Sequence, residues 1–396
     1  MPFVSVLEAG LLIFCVLELL ADGYPRMQKQ IYYLAFAFAF VWSTMKFAYG
    51  PDIMSYIPYY RTIGTPSHVW DTLAEQRFEA GFVLFTSLCK SIGMSYWLFT
   101  ALISTIYFGT IYALFRKLNY YPTIALTVLM SLDNNLFLIE LRQCLAVSFF
   151  ILGILSAQKD KNLLSIVLMV VSASMHHSAK FIIILTILLY LLGKTIKTEK
   201  RAYAFLFAAM ILLIVIPVGG FLQKFMPNIS VDNQTLSSIL EHISRRKFQI
   251  QKIIIIYLGL IGILAYYLKP NDKNNTKHWL IWCCVALIVF IYDYWFLLNR
   301  IRSYFLPFLI VYTSSLLSDR RLTNHLPKQI FATLLLVFFC FDAFVSLPQH
   351  HKMLKFPTDK ICLVTDLRYK SEEELTEEQM RNAINYWEQD YKNTWQ

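Results

Sequence analysis

Residues 122–157 read PTIALTVLMSLDNNLFLIELRQCLAVSFFILGILSA. Apolar side chains fill this stretch apart from Asp133-Asn134-Asn135 and, just after, Glu140, Arg142 and Gln143. About 20 apolar residues cross a hydrocarbon layer roughly 30 Å thick, so the stretch holds two short crossings, about 122–138 and 141–157, joined by a polar turn. Lipid offers backbone groups no partner, so each crossing should be a helix. The fold class follows: all-α, a polytopic membrane protein.

Working outward, the same pattern recurs along the chain. It predicts about twelve transmembrane helices, in a range of 10 to 13. They lie at about 3–20, 31–48, 96–115, 122–138, 141–157, 162–175, 179–193, 202–222, 251–268, 279–297, 301–318 and 329–347. The apolar stretch 80–92 is short and reads as a re-entrant or interfacial helix. Segment 3–20 lacks a basic leader region and reads as a retained anchor. Residues 1–347 form the membrane domain, and 348–396 a polar, mostly helical tail in which Ser371 and Glu374 fit a capping box.

Composition excludes a soluble domain. Hydrophobic residues make up 57% of the chain and charged residues 16%, with a mean hydropathy of +0.49. Soluble domains carry roughly a quarter charged residues. The net charge of +10 would suggest nucleic acid in a soluble protein. Here the cations sit in short loops, so they report topology and no nucleic-acid partner is expected. Loops 22–30, 116–121, 158–161, 194–201, 269–278 and 319–328 hold 16 Lys and Arg in 47 residues, against 12 in 90 for the opposite set. The denser set is placed in the cytoplasm, which puts both termini outside. Within the long outer loop 223–252, SILEHISRRKF reads as an amphipathic interfacial helix. The seven cysteines show neither a disulfide framework nor zinc-ligand spacing.

Ionisable groups near membrane depth are costly, and each is a candidate for function. Asp52, with Tyr56, Tyr59, Tyr60 and Arg61, is either a capped turn beside an interfacial tyrosine belt or a sugar-binding wall. Glu79 either complements the dipole of the helix that follows or faces a cavity. Glu140 and Arg142 either neutralise each other or leave the guanidinium to grip a phosphate bidentately. His176-His177-Ser178-Ala179-Lys180 tips a hairpin whose arms are short for full crossings, so the tip is either a plain outer loop or sunk into the protein. A histidine there suits a general base. Two adjacent histidines without a further ligand pattern argue weakly for metal, and none is expected. Asn299, Arg300 and Arg302 either snorkel to lipid phosphates or form a second phosphate clamp. All these candidates fall on the extracytoplasmic side. Gly193-Lys194-Thr195 lacks the first glycine of a P-loop, where Leu188 stands. With no metalloprotease or dinucleotide motif either, no cofactor is expected.

In order, these residues resemble the EpsG-like branch of the Wzy-type polysaccharide polymerases of bacterial inner membranes. The resemblance rests on Gly50, Asp52 and Tyr56; on Glu79 and Gly81; on Arg142-Gln143; on His176, Ser178 and Ala179; and on Arg300 or Arg302 in NRIRSYFLPF. It spans roughly residues 30–315 and leaves out the tail. Pro51 and His177 depart from the pattern, and the second leaves open which histidine acts. The resemblance implies a GT-C-like membrane glycosyltransferase architecture in the bacterial inner membrane. It also implies polymerisation of oligosaccharide repeat units carried on undecaprenyl diphosphate, without cofactor or metal. A chain-length regulator and a flippase of the same pathway are the implied protein partners. On this reading Arg142 and Arg300 or Arg302 stabilise the leaving diphosphate, and His176, Glu79 or Asp52 serves as base. Tyr56, Gln143, Ser178 and Lys180 bind substrate. Rival readings are a lipid-linked oligosaccharide flippase, a membrane acyltransferase acting on surface glycans, and an assembly subunit.

Overall fold

The computed structural model describes residues 3–46, 52–67, 69, 78–116, 118, 121–195, 300, 302–308, 310–311, 371, 373–381 and 384–385. The expected segments 202–222, 251–268, 279–297 and 329–347, the interfacial helix, Gly50, Pro51 and Asn299 lie outside the described residues. The chain divides into two compact units, Met1–Lys180 with Leu317–Gln396, and Phe181–Leu316.

Among the described residues the regular elements are helices, and no strand occurs. They are α1 (Phe3–Leu20), α2 (Pro25–Thr44), α3 (Ile53–Thr62), α4 (Ala80–Ser91) and α5 (Tyr96–Phe115). Then follow α6 (Pro122–Leu132), α7 (Asn134–Leu138), α8 (Leu141–Ala157), α9 (Asn162–Met175) and α10 (His177–Thr195). Helices α1, α5, α8 and α9 have the boundaries that hydropathy predicts. Helix α4, at 12 residues, is about 18 Å long at 1.5 Å per residue, too short to cross. Among the described residues α5 is the one helix long and apolar enough to cross a membrane, while α4, α6, α8 and α9 are shorter apolar helices.

Two expected segments are corrected. The segment expected at 31–48 belongs to α2, which begins at Pro25 and ends at Thr44. Proline at the first helical position has its φ already set, so the helix starts within the expected loop and carries Arg26 and Lys29. The segment expected at 122–138 is two pieces, α6 and α7, parted at Asp133 with φ −127° and ψ 32°. An Asp side chain competes for backbone hydrogen bonds, and Asp133 ends the helix.

Helix α8 is the hub of the first unit and packs on α9, α5 and α7. Helix α6 is buried from Pro122 to Met130, as expected of a core helix that is apolar on every side. Its N-terminus has orphan N–H groups, and the buried Glu18 of α1 accepts those of Thr123 at 2.8 Å and Ile124 at 3.0 Å. Helix α9 shows the opposite character: Leu163, Leu164, Ile166, Val167 and Val170 are all exposed. The tail carries its expected capping box, with Ser371 N–H donating to Glu374 Oε2 at 3.0 Å and Glu374 N–H to Ser371 Oγ at 3.2 Å.

Candidate functional site

Helix α4 meets the end of α9 at Gly81. A Cβ there would lie 2.1 Å from Ser174 Oγ and 2.8 Å from the Ser174 carbonyl oxygen. Only glycine allows that approach, which carries the preceding residues Phe78 and Glu79 up to the tip of the α9–α10 hairpin. Glu79 stands at the N-cap of α4 with extended backbone, φ −66° and ψ 143°, yet its side chain makes no cap hydrogen bond. The carboxylate reaches across the unit instead. Oε2 accepts from Arg142 Nη1 at 2.6 Å, and Oε1 accepts the His177 backbone N–H at 3.0 Å. Glu79 keeps its place at the N-terminus of α4, and its carboxylate also ties α4 to α8 and α10.

Arg142 is the second residue of α8, and three groups hold it. Beyond Glu79, its Nε donates to Tyr56 Oη at 3.3 Å, and its Cζ lies 4.5 Å from the centre of the Phe78 ring. That geometry is a cation–π contact. Phe78 is wedged in turn between Tyr56, stacked at 5.6 Å, and Tyr59, edge-on at 4.6 Å. The side chain of Glu79 is 4% exposed and that of Arg142 23%. The guanidinium is thus anchored from within and open on one side. A bidentate grip needs two neighbouring N–H groups. With the Nε N–H and one Nη1 N–H engaged, the side-on Nε–Nη2 pair has a member already in use.

Electrostatics follow the geometry. Burial opposes ionisation of Glu79, but the Arg142 guanidinium, the adjacent His176 and the hydrogen bonds together outweigh it and hold the carboxyl below its usual range. Burial pushes the Tyr56 phenol up to about 12 against the pull of Arg142, so it stays protonated and keeps its own proton to donate.

The hairpin tip is narrower than expected, since His176 alone, extended at φ −155° and ψ 139°, separates α9 from α10. His176 is buried, and the exposed ring of His177 points outward, with Nε2 3.9 Å from Glu79 Oε1. His176 Nδ1 accepts the Ser178 N–H at 3.1 Å and lies 2.7 Å from Ser178 Oγ. Those bonds assign the neutral ring's proton to Nε2. In this geometry neither Glu79 nor His176 is set up to accept a proton: one is a paired carboxylate with both oxygens engaged, the other a histidine whose basic nitrogen is in use.

Asp52 is half-buried at the N-cap of α3, and its side chain makes no cap hydrogen bond, which corrects the capped-turn reading. Gln143 is buried, Ser178 half-buried and Lys180 exposed. Arg300 and Arg302, half-buried, belong to the second unit with Ser303, Tyr304 and Phe305, which are buried. Two site residues were missed. Phe78 lies outside every motif, and its one signal was an aromatic next to Glu79. Lys46 is buried at the end of α2, donates to the Phe137 carbonyl and lines a small cavity beside Tyr56.

The family model of the EpsG family matches residues 31–358. The chain belongs to the EpsG family. Neither a curated protein nor a solved structure matches it. EpsG-family chains are membrane proteins of polysaccharide biosynthesis associated with glycosyl-transfer polymerisation. The matched span includes every candidate site residue from Asp52 to Arg302. For an EpsG-family chain, the exposed leucines, isoleucines and valines of α9 are an expected lipid-facing surface.

Proposed function

We propose that this chain polymerises oligosaccharide repeat units carried on undecaprenyl diphosphate. The work takes place at the extracytoplasmic face of a bacterial inner membrane, where the chain is a multi-pass protein of about twelve spans. The observation that carries the reading is the Arg142 cluster in a chain of this family. A permanent cation, braced by Glu79, Tyr56 and Phe78, stands at the mouth of an apolar helix with part of its surface open.

The reaction moves the growing glycan from its carrier to the non-reducing end of a new lipid-linked repeat. The bond between the anomeric carbon and the diphosphate oxygen breaks, and its electrons leave with the oxygen. The acceptor hydroxyl oxygen bonds to the anomeric carbon, and its proton passes to the departing diphosphate. Charge therefore grows on the leaving group, and Arg142 stabilises it by a preorganised positive charge in a site of low dielectric. Tyr56 gives the same group a hydrogen bond from its hydroxyl and keeps its proton. Glu79 positions Arg142. Asp52, Ser178 and Lys180 contact the glycan. A chain-length regulator and the pathway's flippase are the protein partners. The energy of the diphosphate link drives the step, so neither nucleotide sugar nor ATP is consumed.

Purified protein in liposomes, supplied with lipid-linked repeat units alone, tests this reading. A ladder of glycan lengths is expected. Repeat units that cross the bilayer without a ladder would reassign the chain as a flippase.

A further inference from the structure

The guanidinium of Arg142 sits over a ring, and that ring belongs to a residue outside every motif. Cζ of Arg142 is 4.5 Å from the Phe78 centroid. Phe78 is 8% exposed, so the contact is largely shielded from water. The ring is itself fixed, with Tyr59 edge-on at 4.6 Å, Tyr56 stacked at 5.6 Å and Phe82 edge-on at 5.8 Å. Glu79, the next residue, takes the Nη1 corner at 2.6 Å, and that carboxylate is tied to the His177 N–H at 3.0 Å. One short segment thus supplies both the floor under the guanidinium and the pin at one corner. The third contact is the weakest, a Tyr56 hydroxyl 3.3 Å from Nε.

We propose that Phe78 is a positioning residue for the anionic group of the lipid-linked substrate. Its ring face fixes the plane of Arg142, so that the Nε–Nη2 edge meets two phosphate oxygens once the Tyr56 hydroxyl moves from Nε to the ligand. The inference rests on Arg142 being the phosphate-side cation. Glu79 stays in place because it is held at both oxygens, whereas Tyr56 is held at its hydroxyl by one long bond. Tyr56 also borders a small cavity lined by Lys46, Ile53 and Tyr96. Two aligned N–H groups match a phosphate's oxygens, and a tilted guanidinium would offer one. Phe78 therefore tunes affinity for a diphosphate without touching it.

The test keeps the shape of the ring and drains its quadrupole. Phe78 is replaced by mono-, di- and trifluorophenylalanine in the full-length protein in nanodiscs, and the Kd for undecaprenyl diphosphate is measured. Kd should rise stepwise with fluorine count, to about tenfold for the trifluoro variant, given the usual strength of a desolvated cation–π contact. Phe78→Leu should weaken binding by a similar factor, and in an Arg142→Ala background it should add nothing. A flat fluorine series overturns the proposal, as does a Phe78→Leu penalty of equal size with and without Arg142. An unchanged Kd for Arg142→Ala overturns it too, and locates the fault in the reading of Arg142. A ladder-forming wild type with a flat fluorine series leaves the polymerase reading standing and removes Phe78 alone.

Discussion

Gly81→Ala should cost far more than its single methyl suggests. The new Cβ would sit 2.1 Å from Ser174 Oγ, 2.7 Å from Ser174 Cβ and 2.8 Å from the Ser174 carbonyl oxygen. Comfortable carbon contacts begin near 3.5 Å, so α4 and α9 must part by about 1 Å. A forced methyl in a packed crossing costs about 1–3 kcal/mol. The larger effect is positional. Phe78 and Glu79 lead into α4, and their partners Arg142 and His177 are on α8 and α10. A displacement of about 1 Å then stretches the 2.6 Å ion pair and tilts the guanidinium, and such misplacement lowers rates by about 100-fold. Polymer formation in liposomes reads the rate, and thermal unfolding in detergent reads the strain. Ser174→Gly removes two of the three clashing atoms and leaves the carbonyl, so the double variant should regain part of both losses. Wild-type rate and melting temperature in Gly81→Ala would refute the idea that this crossing positions the site.

Arg142→Lys keeps the charge but gives up the planar fork, so polymer formation should fall more than about tenfold although the site stays cationic. Equal activity in the lysine variant would reduce Arg142 to a point charge. Glu79 has a depressed folded-state value, so its contribution to stability is complete above the ordinary carboxylate range and is lost as pH falls through the folded value. The stability difference between the wild type and Glu79→Gln should therefore be constant above about pH 5 and shrink as the pH falls below that, read from paired acid-unfolding curves. Ser371→Ala breaks the reciprocal cap of the tail helix and should lower its local stability by about 1 kcal/mol, seen as faster amide exchange across 373–381 with polymerisation unchanged.

Helix boundaries were legible wherever hydrophobicity alone decides them, and α1, α5, α8 and α9 are examples. They were not legible where backbone chemistry overrides it. Pro25 starts α2 early through a fixed φ, and Asp133 ends α6 amid apolar neighbours. The site behaved the same way. Charged residues at membrane depth stood out because their burial is expensive, so Glu79, Arg142 and His176 could be named. Their partners could not. Glu79 and Arg142 are 63 residues apart, and no local rule pairs them; Glu140, two positions from Arg142, looked the nearer partner. Phe78 was invisible because one aromatic in a chain that is 16% aromatic carries no signal.

The same partners bear on where the acceptor proton goes. A general base needs a free lone pair on a group of suitable proton affinity. Glu79 fails on the second count, since a guanidinium and two hydrogen bonds stabilise its charge and lower its proton affinity. His176 fails on the first, with Nδ1 committed to Ser178. Glycosyl transfer runs through an oxocarbenium-like transition state in which departure of the leaving group leads. An enzyme of that kind gains most from fixed positive charge at the departing oxygen, and least from a strong base at the incoming hydroxyl. On the proposed reading the Arg142 cluster has that bias: its cation is braced by Glu79, Tyr56 and Phe78, and the nearest carboxylate serves as a strut. On this account Glu79→Gln should retain measurable polymerisation where Arg142→Ala does not, an order of severity that a catalytic Glu79 base would reverse.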